Sequence, residues 1–247
     1  MKLFGLANFG HILTNSQVAQ WCGRMVYQKS FVLLHEEVQP LNAASIKLMQ
    51  VPKRPIIKMS NEYHVDNFFA TGKLRLGAYS YFRSFGHKEV GDVLEGQVVL
   101  YGQDYLGSAV GRFEDDDRDY IFCTYLGEPD PDIILRFGYD SAFQINDLQA
   151  FSDAIQRCLN ANKYSFGTCV YGAEKVLKGQ LSSHVNFKTI NNKLVDMIGE
   201  ARHFIKPDNF AHQNEFRIVW RMPTLPLKTP LDIVCPEAVK YCSKVSL

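Results

Sequence analysis

Gln213-Asn214-Glu215-Phe216-Arg217-Ile218-Val219-Trp220-Arg221 is the stretch from which the fold is read. Gln213, Glu215 and Arg217 alternate with Phe216 and Ile218, the two-residue period that places successive side chains on opposite faces of a strand. The approach, Lys206-Pro207-Asp208-Asn209-Phe210-Ala211-His212, is polar and rich in turn formers. A half-buried strand with this pattern turns Phe216 and Ile218 to a core and offers Gln213, Glu215 and Arg217 to a cleft.

Upstream, Glu62 to Gly72 reads as a short helix closed by glycine, the residue that accepts the left-handed conformation at a helix end. Lys73-Leu74-Arg75-Leu76-Gly77 then alternates, with Leu74 and Leu76 on one side and Arg75 on the other. Ile56 to Met59, Gln97 to Tyr101, Tyr120 to Tyr125, Ile133 to Phe137, Lys163 to Tyr171, Leu181 to Phe187 and Leu231 to Cys235 are further strand candidates. Asp147 or Asn146 caps a helix running to Leu159, and Thr189 starts another through Ala201. Strands outnumber helices and most connections are short, which predicts an α+β fold with a mixed, largely antiparallel sheet and flanking helices.

Asn15 to Glu37 carries apolar residues at helical spacing, and a second helical pattern covers Ala43 to Met49. Both precede Pro52-Lys53-Arg54-Pro55, a proline-marked join. Residues 1–52 are therefore expected as a helical segment packed on a single α+β domain of residues 53–247.

Twenty-seven basic residues against 26 acidic ones leave a charge of +1, so nucleic acid would be held only through a local patch. No apolar stretch approaches the ~20 residues needed to span a bilayer. The run Met1 to His11 is broken by Asn8 and His11 and is read as part of the fold rather than a signal peptide. The six cysteines are scattered with no C-x-x-C pair, which predicts free thiols in a reducing, cytoplasmic setting and no metal site.

Neither G-x-G-x-x-G nor G-x-x-x-x-G-K-S/T occurs, and G-x-S-x-G and H-E-x-x-H are also missing. Two candidate sites remain. One is Gln213-x-Glu215. The other is Gly91-Asp92-Val93-Leu94-Glu95-Gly96, whose glycines bracket two carboxylates in a loop. Asp92 and Glu95 with His87 would suit a metal-dependent hydrolase or nuclease.

The run from Tyr63 to Arg83, with its helix, Gly72, Leu74-Arg75-Leu76 and an aromatic segment, together with Phe210 to Trp220 and its Q-x-E, resembles the first and late strands of an ADP-ribosyltransferase-like domain. With Gly91 to Gly96 added, the same runs are similar to an uncharacterised bacterial family bearing a D-x-x-E segment and a late E-x-R. The resemblance implies that NAD is a substrate and that Arg75, with Arg83 or His64 as substitutes, steadies its phosphates or ribose. It implies that Tyr79 or Tyr81 stacks on the nicotinamide or adenine ring and that Glu215 stabilises the cation formed as nicotinamide leaves. Gln213 would face an unknown acceptor macromolecule. The family's serine-threonine-serine segment has partial counterparts in Tyr164 to Thr168 and Leu181 to Ser183.

The resemblance further implies a bacterial or phage protein of toxin or defence type, with a non-catalytic nucleotide- or protein-binding module as the alternative. The plainer readings are a Glu215 paired across strands with an arginine, and an Arg75 on a solvated face.

Overall fold

The computed structural model describes residues 2–8, 41–42, 45–84, 92, 95–104, 107–114, 118–172, 175–180, 199–224 and 229–245. The helix expected from Asn15, the strand from Leu181, most of the helix from Thr189, and His87 lie outside the described residues.

In chain order the first strands are β1 (Lys2–Asn8), β2 (Leu41–Asn42), β3 (Ile56–Ser60), β4 (Lys73–Ala78), β5 (Gln97–Asp104), β6 (Gly107–Glu114) and β7 (Asp119–Leu126). They are followed by β8 (Ser141–Ile145), β9 (Lys163–Thr168), β10 (Val170–Gly172), β11 (Val176–Gln180) and β12 (Ile205–Pro207). The last are β13 (Glu215–Arg221), β14 (Leu231–Val234) and β15 (Cys242–Lys244). The helices are α1 (Glu62–Thr71), α2 (Tyr79–Ser84), α3 (Pro131–Arg136), α4 (Leu148–Leu159) and α5 (Pro236–Val239).

These elements form two compact units, one from Met1–Ile46, Gly96–Asp116 and Val170–Ala211, the other from Lys47–Glu95, Asp117–Cys169 and His212–Leu247. The first unit thus draws on segments well beyond residue 52, and its partition follows contacts rather than the continuous stretches 1–52 and 53–247. It holds a five-stranded mixed sheet in the order β1-β6-β5-β11-β2, with β11 parallel to both β5 and β2. Val98, Val176, Leu177, Phe204 and Ile205 are buried within it.

The second unit is built on an eight-stranded sheet in the order β14-β4-β7-β3-β8-β15, with β13 paired to β7 on one side and β9 on the other. Its ladders are antiparallel among the described residues. The chain is α+β as the element pattern predicts. One face of the sheet carries Leu74, Leu76, Phe122, Phe143, Phe216, Ile218 and Trp220 against Val65 and Phe68 of α1 and Phe151 and Ile155 of α4. Trp220 is fully buried and its indole Nε1 donates to the Ser152 carbonyl, so the ring fills the core without stranding its N–H. On the other face Ile57 and Met59 meet Ile134 of α3, and the Phe82 ring of α2 lies where a Cβ on Gly77 would stand.

Helices on both faces explain a departure from the expected half-buried β13. Its polar alternates do not line an open cleft: Gln213, Glu215 and Arg217 are all buried, Arg217 to 1% exposure. Gln213 ends a 3-10 turn over Asp208–Gln213, and Asn214 at φ 40° bends the chain into the strand.

Ile133 to Phe137 is helical rather than a strand. The Asp130 carboxylate accepts from the backbone N–H groups of Asp132 and Ile133, and Pro131 occupies the first turn, where its missing donor is harmless. Lys163 to Tyr171 is two strands, broken at Cys169. The helix expected through Met49 is replaced at its end by strand-like contacts: Leu48 bridges Gly167, and the Met49 N–H donates to the Phe166 carbonyl.

The α1–Gly72–β4 unit stands as expected, with Gly72 at φ 78° and its N–H donating to the Phe68 carbonyl. A Cβ at Gly72 would overlap the backbone of Cys235 and Pro236. Gly72→Ala therefore combines a left-handed backbone, worth about 1–3 kcal/mol of strain, with a backbone clash. Urea denaturation of this variant is expected to show a loss above about 2 kcal/mol.

Candidate functional site

Two antiparallel neighbours place the polar residues of β13. Along β7 the register sets Glu215 opposite Tyr125, Arg217 opposite Cys123 and Val219 opposite Ile121. Since Phe216 and Ile218 face the large core, Glu215 and Arg217 point to the other side of the sheet. A planar guanidinium buried at that position needs carboxylates, because its charge has lost water.

Two glutamates supply them. Arg217 Nη1 and Nη2 donate to Glu95 Oε1 and Oε2 at 2.7 and 3.0 Å, and Nε donates to Glu215 Oε1 at 2.5 Å. Glu95 and Glu215 are buried to 2% and 5% exposure. Burial pulls the Arg217 guanidinium down, but Glu215 and Glu95 outweigh it and hold it well above its ordinary value. The D-x-x-E and Q-x-E segments, separate in sequence, thus meet on one arginine.

The segment leading to Glu95 is tied down locally. Arg83 of α2 donates to the Glu95 carbonyl at 3.0 Å, the Asp92 N–H donates to the Phe82 carbonyl, and the Glu95 N–H to the Asp92 carbonyl. Asp92 is itself buried.

A gap in the ladders brings a second cation close. β7 pairs with β4 at Ile121 and Tyr120 and with β3 at Leu126 and Tyr125, both on the side away from β13. Between those ladders β3 has moved off to β8 and β4 to β14, which forks the sheet at Phe122, Cys123 and Thr124. Lys58 reaches into the fork, where its Nζ donates to the Cys123 carbonyl at 2.9 Å and lies 4.7 Å from the centre of the Phe122 ring. Burial lowers its pKa against the opposing pull of Cys123 and Glu215. The Cys123 thiol is pushed well up, first by burial and then by Glu215. Two carboxylates, a guanidinium and an ammonium therefore share the centre of the unit.

The other candidate residues form a separate, exposed group. Alternation along β4 puts Arg75 on the sheet face of Glu215 and Arg217, yet its side chain is engaged by Asp232 of β14, with Nε to Oδ1 at 2.7 Å and Nη2 to Oδ2 at 3.1 Å. That pair is 69% and 38% exposed, and Lys73 joins it at 3.7 Å. Hydrogen bonding to Asp232 raises Arg75, and Tyr81 adds to the rise. Asp232 is lowered chiefly by Arg75, with a smaller contribution from His64. Tyr81 and His64 accordingly lie in the electrostatic neighbourhood of this pair, while Arg83 belongs with Glu95.

Sequence reasoning named Glu95, Glu215 and Gln213 but gave Arg217 and Lys58 no role. The spacing of Glu215 and Arg217 on one strand face signals their pairing; nothing local signals Glu95, which is 122 residues away. Among the described residues no group of three or more His, Cys, Asp or Glu side chains could hold a metal ion, and Glu95 is held by Arg217. Nor, among them, is any helix long and apolar enough to cross a membrane.

Comparison with known proteins found no matching family model, no similar curated protein and no similar solved structure.

Breaking the buried pair should be far more damaging than breaking the exposed one. Arg217→Met takes the guanidinium away from two buried carboxylates and is expected to lower unfolding free energy by about 3–5 kcal/mol, if the variant folds at all. Arg75→Met should lose less than about 1 kcal/mol, and less still at high salt. Equal losses in parallel urea titrations would contradict this ranking.

Lys58 gives a pH test. Its folded pKa lies below 10.5, so the unfolded chain holds that proton more tightly, and stability rises with pH between the folded value and 10.5. The stability difference between wild type and Lys58→Met should move in favour of wild type as pH climbs through that interval.

Proposed function

We propose that the protein is an ADP-ribosyltransferase-like enzyme that cleaves NAD at the nicotinamide bond and passes ADP-ribose to an acceptor macromolecule. The observation that carries this reading is the meeting of the D-x-x-E and Q-x-E-x-R segments on Arg217, on the sheet face that also bears Arg75. The Q-x-E run is one of the two on which the resemblance to that family rests, with Tyr63 to Arg83 the other, while the D-x-x-E segment belongs to the similarity to the uncharacterised bacterial family. A bacterial or phage conflict setting in the cytoplasm belongs to the same proposal.

In this reaction the bond between the ribose anomeric carbon and the nicotinamide nitrogen breaks, and its electron pair leaves with nicotinamide. The acceptor's nucleophilic atom bonds to that carbon and its proton is released. Positive charge grows on the sugar before the acceptor arrives. Glu215 meets that charge as a carboxylate whose geometry is fixed in advance by Arg217 Nε on one oxygen. A preorganised carboxylate stabilises the transition state more than the ground state, since no dipoles must reorganise as charge develops. Gln213, two residues before it, faces the acceptor. Arg75 and Tyr81 hold the dinucleotide, Arg75 by exchanging Asp232 for phosphate oxygens. Arg83 orients the segment that ends in Glu95, and His64 lies beside the Arg75 and Asp232 pair.

A second reading draws on a specific observation: Glu215 is 5% exposed and bonded to a guanidinium. A carboxylate so engaged suits a non-catalytic nucleotide-binding module in which the cluster is architectural.

One experiment separates the two. Wild type and Glu215→Gln are incubated with NAD and cell lysate, and released nicotinamide and labelled acceptor are quantified beside the thermal shift produced by NAD. Catalysis predicts release by wild type and a loss of at least about 100-fold in the variant, the scale of removing one charge-stabilising group. A thermal shift without release supports the binding module. Equal release by both proteins rejects Glu215 as the reacting carboxylate.

A further inference from the structure

Away from the charged cluster, two thiols come together where α4 passes the end of β14. Cys158 is exposed on α4, and Cys235 is buried between β14 and α5. The Cys158 Sγ donates to the carbonyl of Val234 at 3.4 Å, the residue directly before Cys235, which makes the two cysteines neighbours at this junction. The junction around them is fixed. The Cys235 N–H donates to the Gly72 carbonyl at 2.8 Å, and Arg157 Nη2 pairs with Glu237 Oε1 at 2.9 Å. Neither cysteine takes part in the site described above.

We propose that Cys158 and Cys235 form an oxidisable dithiol, a modification site at which a peroxide converts the pair to a disulfide. Cys158 is the thiol that meets the oxidant, because it is the exposed member. Its thiolate attacks the peroxide O–O bond, giving a sulfenic acid and releasing the alcohol, or water from hydrogen peroxide. The Cys235 sulfur then attacks the Cys158 sulfur. The S–O bond breaks and the hydroxyl leaves as water with the Cys235 proton, so that two thiols are oxidised and one peroxide is reduced.

The position of Cys158 against the peptide that leads into Cys235 makes the second step intramolecular, and the buried Cys235 needs no access of its own. Burial first, and the neighbouring Cys235 next, hold the Cys158 thiol above its ordinary value. The thiolate fraction at neutral pH is correspondingly small. The pair therefore responds to sustained peroxide exposure rather than to brief pulses, unlike a sensor cysteine with a depressed pKa. The product ties α4 to the junction of β14 and α5. This inference is independent of any activity toward NAD.

The test uses the intact reduced protein, treated with hydrogen peroxide in modest excess, blocked with an alkylating agent and digested without reductant for mass spectrometry. The expected result is a linked peptide pair containing Cys158 and Cys235, two hydrogens lighter than the sum of its parts and lost on reduction. In Cys235→Ser the reaction should stop at a Cys158 sulfenic acid trapped by dimedone. Wild-type protein that accumulates dimedone-trapped, sulfinic or sulfonic Cys158 without the link overturns the proposal. So does protein whose other thiols oxidise while Cys158 and Cys235 stay reduced. The wild-type outcome decides the matter even if a variant fails to fold.

Discussion

A guanidinium at 1% exposure in the middle of a β-sheet is the constraint from which the second unit is best understood. Arg217 cannot sit there with water removed unless carboxylates replace the lost hydration, and a single glutamate on the neighbouring face position satisfies only its Nε. The fork of the guanidinium requires Glu95 as well, which must be brought across 122 residues of chain. The described parts of the chain before Glu95 follow from this need: β4 runs toward the fork, α2 folds over Gly77, and Arg83 and the Asp92 backbone bond to Glu95 where it meets Arg217. Such an arrangement adds little net stability over a hydrocarbon core. Its effect is to specify one register, because a one-residue slip of β13 would send Arg217 to the face of Phe122 and Phe151.

The fork in the sheet belongs to the same arrangement. β3 and β4 are both antiparallel to β7, hence parallel to each other, and α1 is the crossover between them. They touch β7 toward opposite ends, so Phe122, Cys123 and Thr124 between them pair with no strand on that side among the described residues. Lys58 fills part of the gap by bonding the Cys123 carbonyl. Its ammonium offsets the second carboxylate of the cluster, and it stands at the only break in the β7 ladder among the described residues.

Local patterns in the sequence carried much of this architecture. Gly72 as a helix end, the alternation of Leu74 and Leu76 against Arg75, the Asp147 cap and the period of β13 all depend on neighbours within a few residues, and each reappears in the structure. Ile133 to Phe137 was misread because apolar content outweighed the Asp130-Pro131 start signal, which is equally local. Burial of the polar face of β13 was not legible, since it depends on α2 and α3 packing there. For the candidate site, the face shared by Glu215 and Arg217 could be read from their spacing. The partner of Arg75 and the arrival of Glu95 could not, because both are long-range pairings that no periodicity encodes.

The most direct test of the central claim is a double-mutant cycle between Glu95 and Arg217, read by urea denaturation of wild type, Glu95→Gln, Arg217→Met and the double variant. If the guanidinium and this carboxylate form one buried unit, the second substitution should cost far less than the first. That corresponds to a coupling of about 2–3 kcal/mol. Losses that add to within about 0.5 kcal/mol would contradict the account and return Arg217 to the status of an independent core residue.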